Sequence, residues 1–192
     1  QSLKNNETGS YNTASGSNSL YANTSGAQNT ATGYQSLKNN ETGNYNTAYG
    51  SQSLISNTFG SYNTASGNNA LYYNTGDHNT ASGYESLKQN TTSTHNTAYG
   101  NQSLTSNTTG YFNVATGSQS LFNNTTGDNN TASGYQTLFN NTTGNNNTAT
   151  GYEALKNSTS SDNTAIGHQA LKNTTGDVIG YNTAIGVQAG LL

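Results

Sequence analysis

The sequence contains no cysteine, proline, methionine, tryptophan or arginine, and these absences exclude several kinds of site. Without cysteine there are no disulfides and no thiolate metal sites. Without arginine there are no bidentate contacts to guanine or phosphate, and the five lysines are spread along a chain of net charge −3. We therefore expect no nucleic-acid partner. No apolar run approaches the ~20 residues of a transmembrane helix, so membrane insertion is not expected.

Large apolar residues are also scarce. Leu, Ile, Val and Phe together account for 24 of the 192 residues. Such a low share indicates disorder when the net charge is high, but charged residues are only 7% of this chain. Asn, Thr, Ser and Gly fill the remainder. A chain of this composition can fold if backbone pairing and side-chain ladders replace part of an apolar core, which points to a repeat.

Self-alignment shows a 17-residue unit repeated about eleven times, and it spans residues 1–192 as one domain. The consensus is Asn-Thr-Ala-x-Gly-x-Gln-Ser-Leu-x-x-Asn-Thr-Thr-Gly-x-x, numbered here as positions 1 to 17. Units begin at Asn12, Asn29, Asn46, Asn63, Asn79, Asn96, Asn113, Asn130, Asn147, Asn163 and Asn182. Two units lack one residue, and one carries the insertion Val178-Ile179-Gly180.

The invariant positions predict the fold. Position 3 is always Ala and position 5 always Gly, whereas position 4 between them accepts Ser, Thr, Tyr and Ile. This alternation is typical of a strand with one tightly packed face and one open face. Position 9 is Leu in eleven units, so Ala and Leu are expected inside a narrow coil. The prediction is an all-β parallel β-solenoid, a β-roll or β-helix, of about eleven coils. At ~4.8 Å per coil, its length is on the order of 50 Å.

The polar invariants predict corners. Aligned by its asparagines, the chain has Asn at position 12 eleven times, from Asn6 to Asn173, usually followed by Gly or Ser at position 15. Asn and Gly tolerate left-handed backbone, and stacked Asn side chains can form hydrogen-bonded ladders.

The unit resembles two known groups of repeats. The core Asn-Thr-Ala-Ile-Gly at 163–167 and 182–186 resembles the β-roll head repeats of trimeric autotransporter adhesins. The longer consensus is more similar to repeats of phage tail-fibre-like and bacterial surface proteins, although the adhesin unit is nearer fourteen residues. The resemblance implies a homotrimer in an extracellular fibre. From the residues themselves we expect no cofactor and no enzymatic activity.

The composition also favours self-association. Each coil offers about one Leu and one Ala for burial, and the 14 Tyr lie largely at the variable positions 4, 6, 10 and 17, where they can pack between rods. The chain opens within a unit at Gln1, and it ends on the apolar residues Leu191 and Leu192. We therefore expect further sequence or another copy, as a trimer or a head-to-tail filament, to cover the coil ends.

No catalytic constellation is apparent. Glu85 and Glu153 share position 7 but are four coils apart, which is too far for a glycosidase pair. His78 and His95 share position 17 in adjacent coils, with Asp77 nearby, so they are a weak candidate for a transition-metal site. Two exposed loop histidines are the simpler interpretation.

Two repeated features could be functional. Asn-x-Ser/Thr sequons occur at Asn6, Asn23, Asn40, Asn90, Asn107, Asn124, Asn141, Asn157 and Asn173. At Asn57 and Asn74 the sequon is lost but the Asn is kept, which favours a corner or ladder role over glycosylation. The Thr column at position 2 resembles the flat Thr arrays of ice-binding solenoids, although strand propensity explains it more simply. We predict a structural fibre or adhesin segment at a cell or virion surface, with a glycan-binding or ice-binding surface as the alternative.

Overall fold

The computed structural model describes residues 1–174 and 180–190, and in these the regular structure is entirely β. Each coil contributes one strand of three residues. The strands are β1 Thr13–Ser15, β2 Thr30–Thr32, β3 Thr47–Tyr49, β4 Thr64–Ser66, β5 Thr80–Ser82, β6 Thr97–Tyr99, β7 Val114–Thr116, β8 Thr131–Ser133, β9 Thr148–Thr150, β10 Thr164–Ile166 and β11 Thr183–Ile185. The predicted β-solenoid is confirmed.

The strands form one parallel sheet in sequence order, from β1 to β11. Equivalent unit positions pair throughout, as in Thr47 with Thr64 and Ala48 with Ala65. The register also survives the unit with the insertion, where Thr164 pairs with Thr183. Most of that insertion lies outside the described residues. Changes in unit length are therefore absorbed outside the strand.

The core is a column of Ala and a column of Leu. Ala48 and Leu54 are fully buried, and so are their equivalents in the other central coils. Position 8 completes this layer with Ala70, Ala154 and Ala170 or with a buried Ser or Thr. The strand residues on either side of Ala face outward. The prediction of an apolar interior and an open position 4 is therefore confirmed.

The coil bends tightly at positions for which the sequence did not predict left-handed backbone. Positions 7, 9 and 17 are left-handed in every coil, as at Gln35 (φ 57°), Leu37 (φ 48°) and Tyr45 (φ 57°). Left-handed backbone costs such residues roughly 1–2 kcal/mol each. The gain is in hydrogen bonding, because the N–H of Gln35 donates to the preceding coil (Ser17 O, 2.9 Å) and that of Leu37 to the following coil (Ser53 O, 3.0 Å).

The expectation of left-handed corners at positions 12 and 15 is wrong. Among the described residues, neither the Asn at position 12 nor the Gly at position 15 has a positive φ. Glycine at position 15 is required for close approach instead, since a Cβ on Gly110 would lie 2.6 Å from Asn107 Oδ1. At position 5 both reasons apply: Gly117 has a φ of 128°, and a Cβ there would collide with the carbonyl of Gly134.

Candidate functional site

The outward side of the sheet is lined with hydroxyl groups. We call the outward residues at positions 2 and 4 the sheet face. It carries ten Thr at position 2 and seven Ser or Thr at position 4. No charged residue occurs at position 2, 4 or 6 in any coil. The sheet register stacks these side chains in straight columns, so that Thr13, Thr30 and Thr47 follow one another.

The hydroxyls of the sheet face differ from those elsewhere in the coil. At position 8 the Ser hydroxyl donates within its own coil, as from Ser53 Oγ to the Gly50 carbonyl (3.0 Å). At position 13 the Thr hydroxyl donates to the next coil, as from Thr108 Oγ1 to the Thr125 carbonyl (3.0 Å). Thr64 and Ser66, by contrast, are exposed and have no side-chain hydrogen bond within the described chain. The sheet-face hydroxyls are therefore free to bind water or a ligand.

The Thr column has the straightness that an ice-binding array requires, but the sheet face is not flat. Tyr49 and Tyr99 project from position 4, each about half exposed, and Ile166 and Ile185 occupy the same column further along. The ice-binding alternative stays a prediction. It requires a flat surface, and these four side chains interrupt the flatness of the sheet face.

Position 17 forms a column of stacked rings. Five rings follow one another in adjacent coils: Tyr45, Tyr62, His78, His95 and Phe112. The centroid distances between neighbours run from 4.8 to 5.1 Å. Each inner ring has both faces covered by its neighbours, so this column presents ring edges to its surroundings.

The two histidines of this column are stacked face to face, with 4.8 Å between centroids and 20° between planes. An imidazole nitrogen binds a metal through a lone pair in the plane of the ring. Nearly parallel rings therefore do not direct their lone pairs at one ion, and the Nδ1 of His95 lies 3.0 Å from Thr94 Oγ1. Within the described residues no group of three His, Asp or Glu side chains is placed to hold a metal.

The corner asparagines form two connected ladders. At position 12, Asn107 Nδ2 donates to Asn90 Oδ1 in the preceding coil (2.9 Å) and to the Gly110 carbonyl in its own coil (3.0 Å). At position 1, Asn113 donates its backbone N–H to Asn96 Oδ1 (2.9 Å). Both columns bond to the same position-15 carbonyls, as Asn96 Nδ2 also donates to Gly110 O (2.8 Å). The predicted Asn ladder is present.

These ladders decide which sequons are accessible. Six of the nine sequon asparagines are fully buried: Asn23, Asn40, Asn90, Asn107, Asn124 and Asn141. Their Nδ2 groups are donors in the ladder, so the folded coil has no space for an N-linked glycan there. Asn6 and Asn173 are exposed and Asn157 is half-buried. Glycosylation at these three stays a prediction.

Two of the asparagines assigned to position 12 lie elsewhere. Asn157 and Asn173 occupy position 11, where Asn140 Nδ2 donates to Asn157 Oδ1 (2.8 Å) and Asn157 Nδ2 to Asn173 Oδ1 (2.9 Å). Ser158 fills the buried corner instead. The sequence held the signal, because Asn normally follows the core Leu by three residues and here follows Leu155 by two.

The corner ladder ends at this substitution. Asn141 Oδ1 is buried without a hydrogen-bond partner, because the next coil has Ser158 in place of an amide donor. Within the described residues, the one side-chain hydrogen bond of Ser158 Oγ is a long contact with Ser160 Oγ, at 3.5 Å. The 16-residue unit that starts at Asn63 has the same length and keeps the ladder with Asn74 and Gly76. Asn74 and Gly76 therefore show which residues would restore the ladder at Ser158 and Ser160.

The double change Ser158→Asn and Ser160→Gly should therefore stabilise the chain by roughly 0.5–1.5 kcal/mol, the net value of a buried hydrogen bond. Chemical denaturation should show a higher midpoint with an unchanged slope. Ser158→Ala is the control and should not stabilise. A double variant no more stable than the native chain would mean that the orphaned acceptor carries no cost.

Charge is confined to positions away from the sheet face. All five lysines occupy position 10, directly after the core Leu. Glu85 and Glu153 at position 7 each pair with the lysine three residues later, at 2.7 and 2.6 Å. Glu153 also binds Lys172 of the next coil (2.7 Å). The two glutamates therefore serve separate ion pairs four coils apart.

Glu153 should make stability depend on acid. Burial raises the pKa of Glu153, but hydrogen bonds from Lys156, Lys172 and Gln169 outweigh it and bring it to about 2, below the ordinary 4.5. A carboxyl group whose pKa is lowered by folding stabilises the fold at pH values above its unfolded-state pKa. This stabilisation is lost as the pH falls through the folded-state pKa. Glu153→Gln should cost about 1–3 kcal/mol near neutral pH, and the loss should shrink towards about pH 2.

Urea denaturation of both proteins across this pH range measures the effect. Glu85→Gln is the matched control, because Glu85 has one lysine partner rather than two. Its loss should be smaller. A Glu153→Gln deficit that stays constant with pH would contradict the assignment.

The described residues include no helix long and apolar enough to cross a membrane. The resemblance to fibre repeats stays a prediction. No protein-family model, curated protein or solved structure matches this chain significantly.

Proposed function

We propose that this chain is a rigid rod segment of an extracellular fibre or adhesin, and that it associates with further copies of itself. The observation that carries the proposal is the unbroken register of eleven parallel strands. The two Asn columns reinforce this register from coil to coil. A solenoid whose every coil bonds to both neighbours resists bending and transmits load along its axis.

An exposed aliphatic patch supports self-association. Ile166 and Ile185 replace the Ser, Thr or Tyr of other coils at position 4, and Val187 replaces the polar or aromatic residue of other coils at position 6. All three side chains are exposed. An aliphatic cluster on an otherwise hydroxyl-rich face is the kind of surface that another chain covers. We call these three residues the aliphatic patch. It occupies two coils of the eleven.

Mass measurement by light scattering, together with negative-stain electron microscopy, tests the proposal. We expect a discrete oligomer, a trimer under the fibre resemblance, built from rods on the order of 50 Å long. Changing Ile166, Ile185 and Val187 to Ser should reduce the mass to that of the monomer without shortening the rod. A native chain that is monomeric at micromolar concentration would contradict self-association, and a compact particle would contradict the rod.

A further inference from the structure

The outward tyrosines follow a longer period than the coil. Residues 12–62, 63–112 and 113–162 are three successive blocks of three coils with related sequences. Tyr34 and Tyr84 occupy position 6 of the second coil in the first two blocks, and Tyr49 and Tyr99 occupy position 4 of the third coil. The same surface therefore recurs every three coils, or about 14 Å.

Within its own column, each of these four rings stands apart from the other. Along position 4, Tyr49 is followed by Ser66, Ser82 and then Tyr99 as successive register partners. At position 6, Ser51 and Asn68 lie between Tyr34 and Tyr84. Unlike the inner rings of the position-17 column, the four rings have no ring above or below them in their columns. They are 47–52% exposed.

Each column thus has two aromatic rings separated by two coils of polar residues. The gap of about 14 Å between ring levels is several times the ~3.5–4 Å of van der Waals contact, so flat groups can stack on either ring. Between Tyr49 and Tyr99 lie Ser66 and Ser82, with Thr64 and Thr80 beside them at position 2. Their hydroxyls have no hydrogen bond within the described chain. They can donate and accept.

We propose that the sheet face and the adjoining position 6, around Tyr34, Tyr49, Tyr84 and Tyr99, bind linear, uncharged polysaccharides. A sugar ring offers an apolar C–H face to a tyrosine and hydroxyls to the Ser and Thr between. The absence of charge at positions 2, 4 and 6 favours a neutral ligand. A surface repeated along a rod suits a polymer, because linked weak contacts add up to higher affinity.

A second copy of the chain fits this surface less well. Its own sheet face would place free hydroxyls against free hydroxyls and seal them from water, which costs energy wherever pairing is incomplete. The aliphatic patch, several coils away, is the better surface for a protein partner. The polysaccharide proposal rests on the proposed function only in needing the rod to hold its coils in register.

Depletion of the chain from solution by insoluble cellulose, chitin and agarose tests the proposal. We expect retention on at least one of the three, largely unchanged in about 1 M NaCl, because positions 2, 4 and 6 carry no charged residue. The variant with Tyr34, Tyr49, Tyr84 and Tyr99 all changed to Ser should lose at least about tenfold in retention, the effect of removing several linked contacts. Ser already occupies positions 4 and 6 in other coils, so the fold should tolerate the change.

The matched control is Tyr45→Asn with Tyr62→Asn, at position 17, where Asn also occurs in other coils. It should keep full retention. Four outcomes overturn the proposal: no retention on any of the three materials, retention by the Ser variant equal to the native, retention abolished by salt, or a Ser variant that changes oligomeric mass. Thermal hysteresis without retention would assign the surface to ice instead. Rod length and mass, measured on the same samples, show separately whether the rod itself has failed.

Discussion

Replacing Leu104 with Ala should destabilise the chain by about 2–5 kcal/mol. Leu104 is fully buried in a central coil and packs within the Leu column between Leu87 and Leu121. Its backbone is left-handed (φ 51°), a strain that Ala would share, so the loss reports packing rather than backbone conformation. Ala also leaves a cavity that a ladder-bonded coil cannot collapse to fill.

Chemical denaturation measures this loss, with Tyr99→Ser as the control in the same coil. Tyr99 is 47% exposed, and Ser is the common residue at its position. Its loss should stay within about 0.5 kcal/mol, as for other surface changes. Equal small losses at both sites would mean that the Leu column does not stabilise the coil.

The fold was predictable because the repeat determines it. When every unit has the same apolar positions, only stacking equivalent positions buries all of them together, so register and parallel pairing follow. The Asn ladder was predictable for the same reason, since identical amides at one corner align their donors and acceptors. Single-residue changes such as Ser158 were harder, because an alignment by residue type placed Asn157 one position too late.

Other features could not be read from composition. Leu and Gln intrinsically disfavour left-handed backbone. Here the hydrogen bonds between coils impose that conformation on them. The Gln ladder of position 7 is another example, as Gln136 Nε2 donates to Gln119 Oε1 (2.8 Å). Where Glu85 replaces Gln it has no amide donor, and Asn69 Oδ1 in the preceding coil is left without a partner.

The candidate binding surface was only partly predictable. The sequence indicated an open position 4 and a Thr column. It did not distinguish hydroxyls that bond within the coil, such as those of Ser53 and Thr108, from those of Thr64 and Ser66, which remain free. That difference depends on which way each side chain points relative to the coil backbone, and it requires coordinates.

Changing Asn107 to Asp should destabilise the chain by about 3–5 kcal/mol, the usual cost of leaving a buried charge unpaired. Asp preserves the shape of Asn but replaces the Nδ2 donor with a carboxylate oxygen. That oxygen would face the acceptors Asn90 Oδ1 and the Gly110 carbonyl, which Nδ2 contacts at 2.9 and 3.0 Å. Of the groups that Nδ2 contacts, only the neutral Ser93 hydroxyl (3.0 Å) can donate to it. Asn107 is fully buried, so water cannot screen the repulsion.

The dependence of this loss on pH identifies its cause. Burial without a cation raises the pKa of the new carboxyl above its unfolded value of about 3.9. The penalty is therefore complete above the folded-state pKa and disappears as pH falls towards the unfolded one. Acid thus restores stability to this variant, whereas acid removes from the native chain the stabilisation that Glu153 provides. Asn157→Asp, at a half-buried site outside the corner, should lose at most about 1 kcal/mol. Denaturation midpoints between about pH 7 and pH 4 decide the matter. A loss at Asn107 no larger than at Asn157, or one that does not diminish in acid, would show that the corner amides do not hold the coils together.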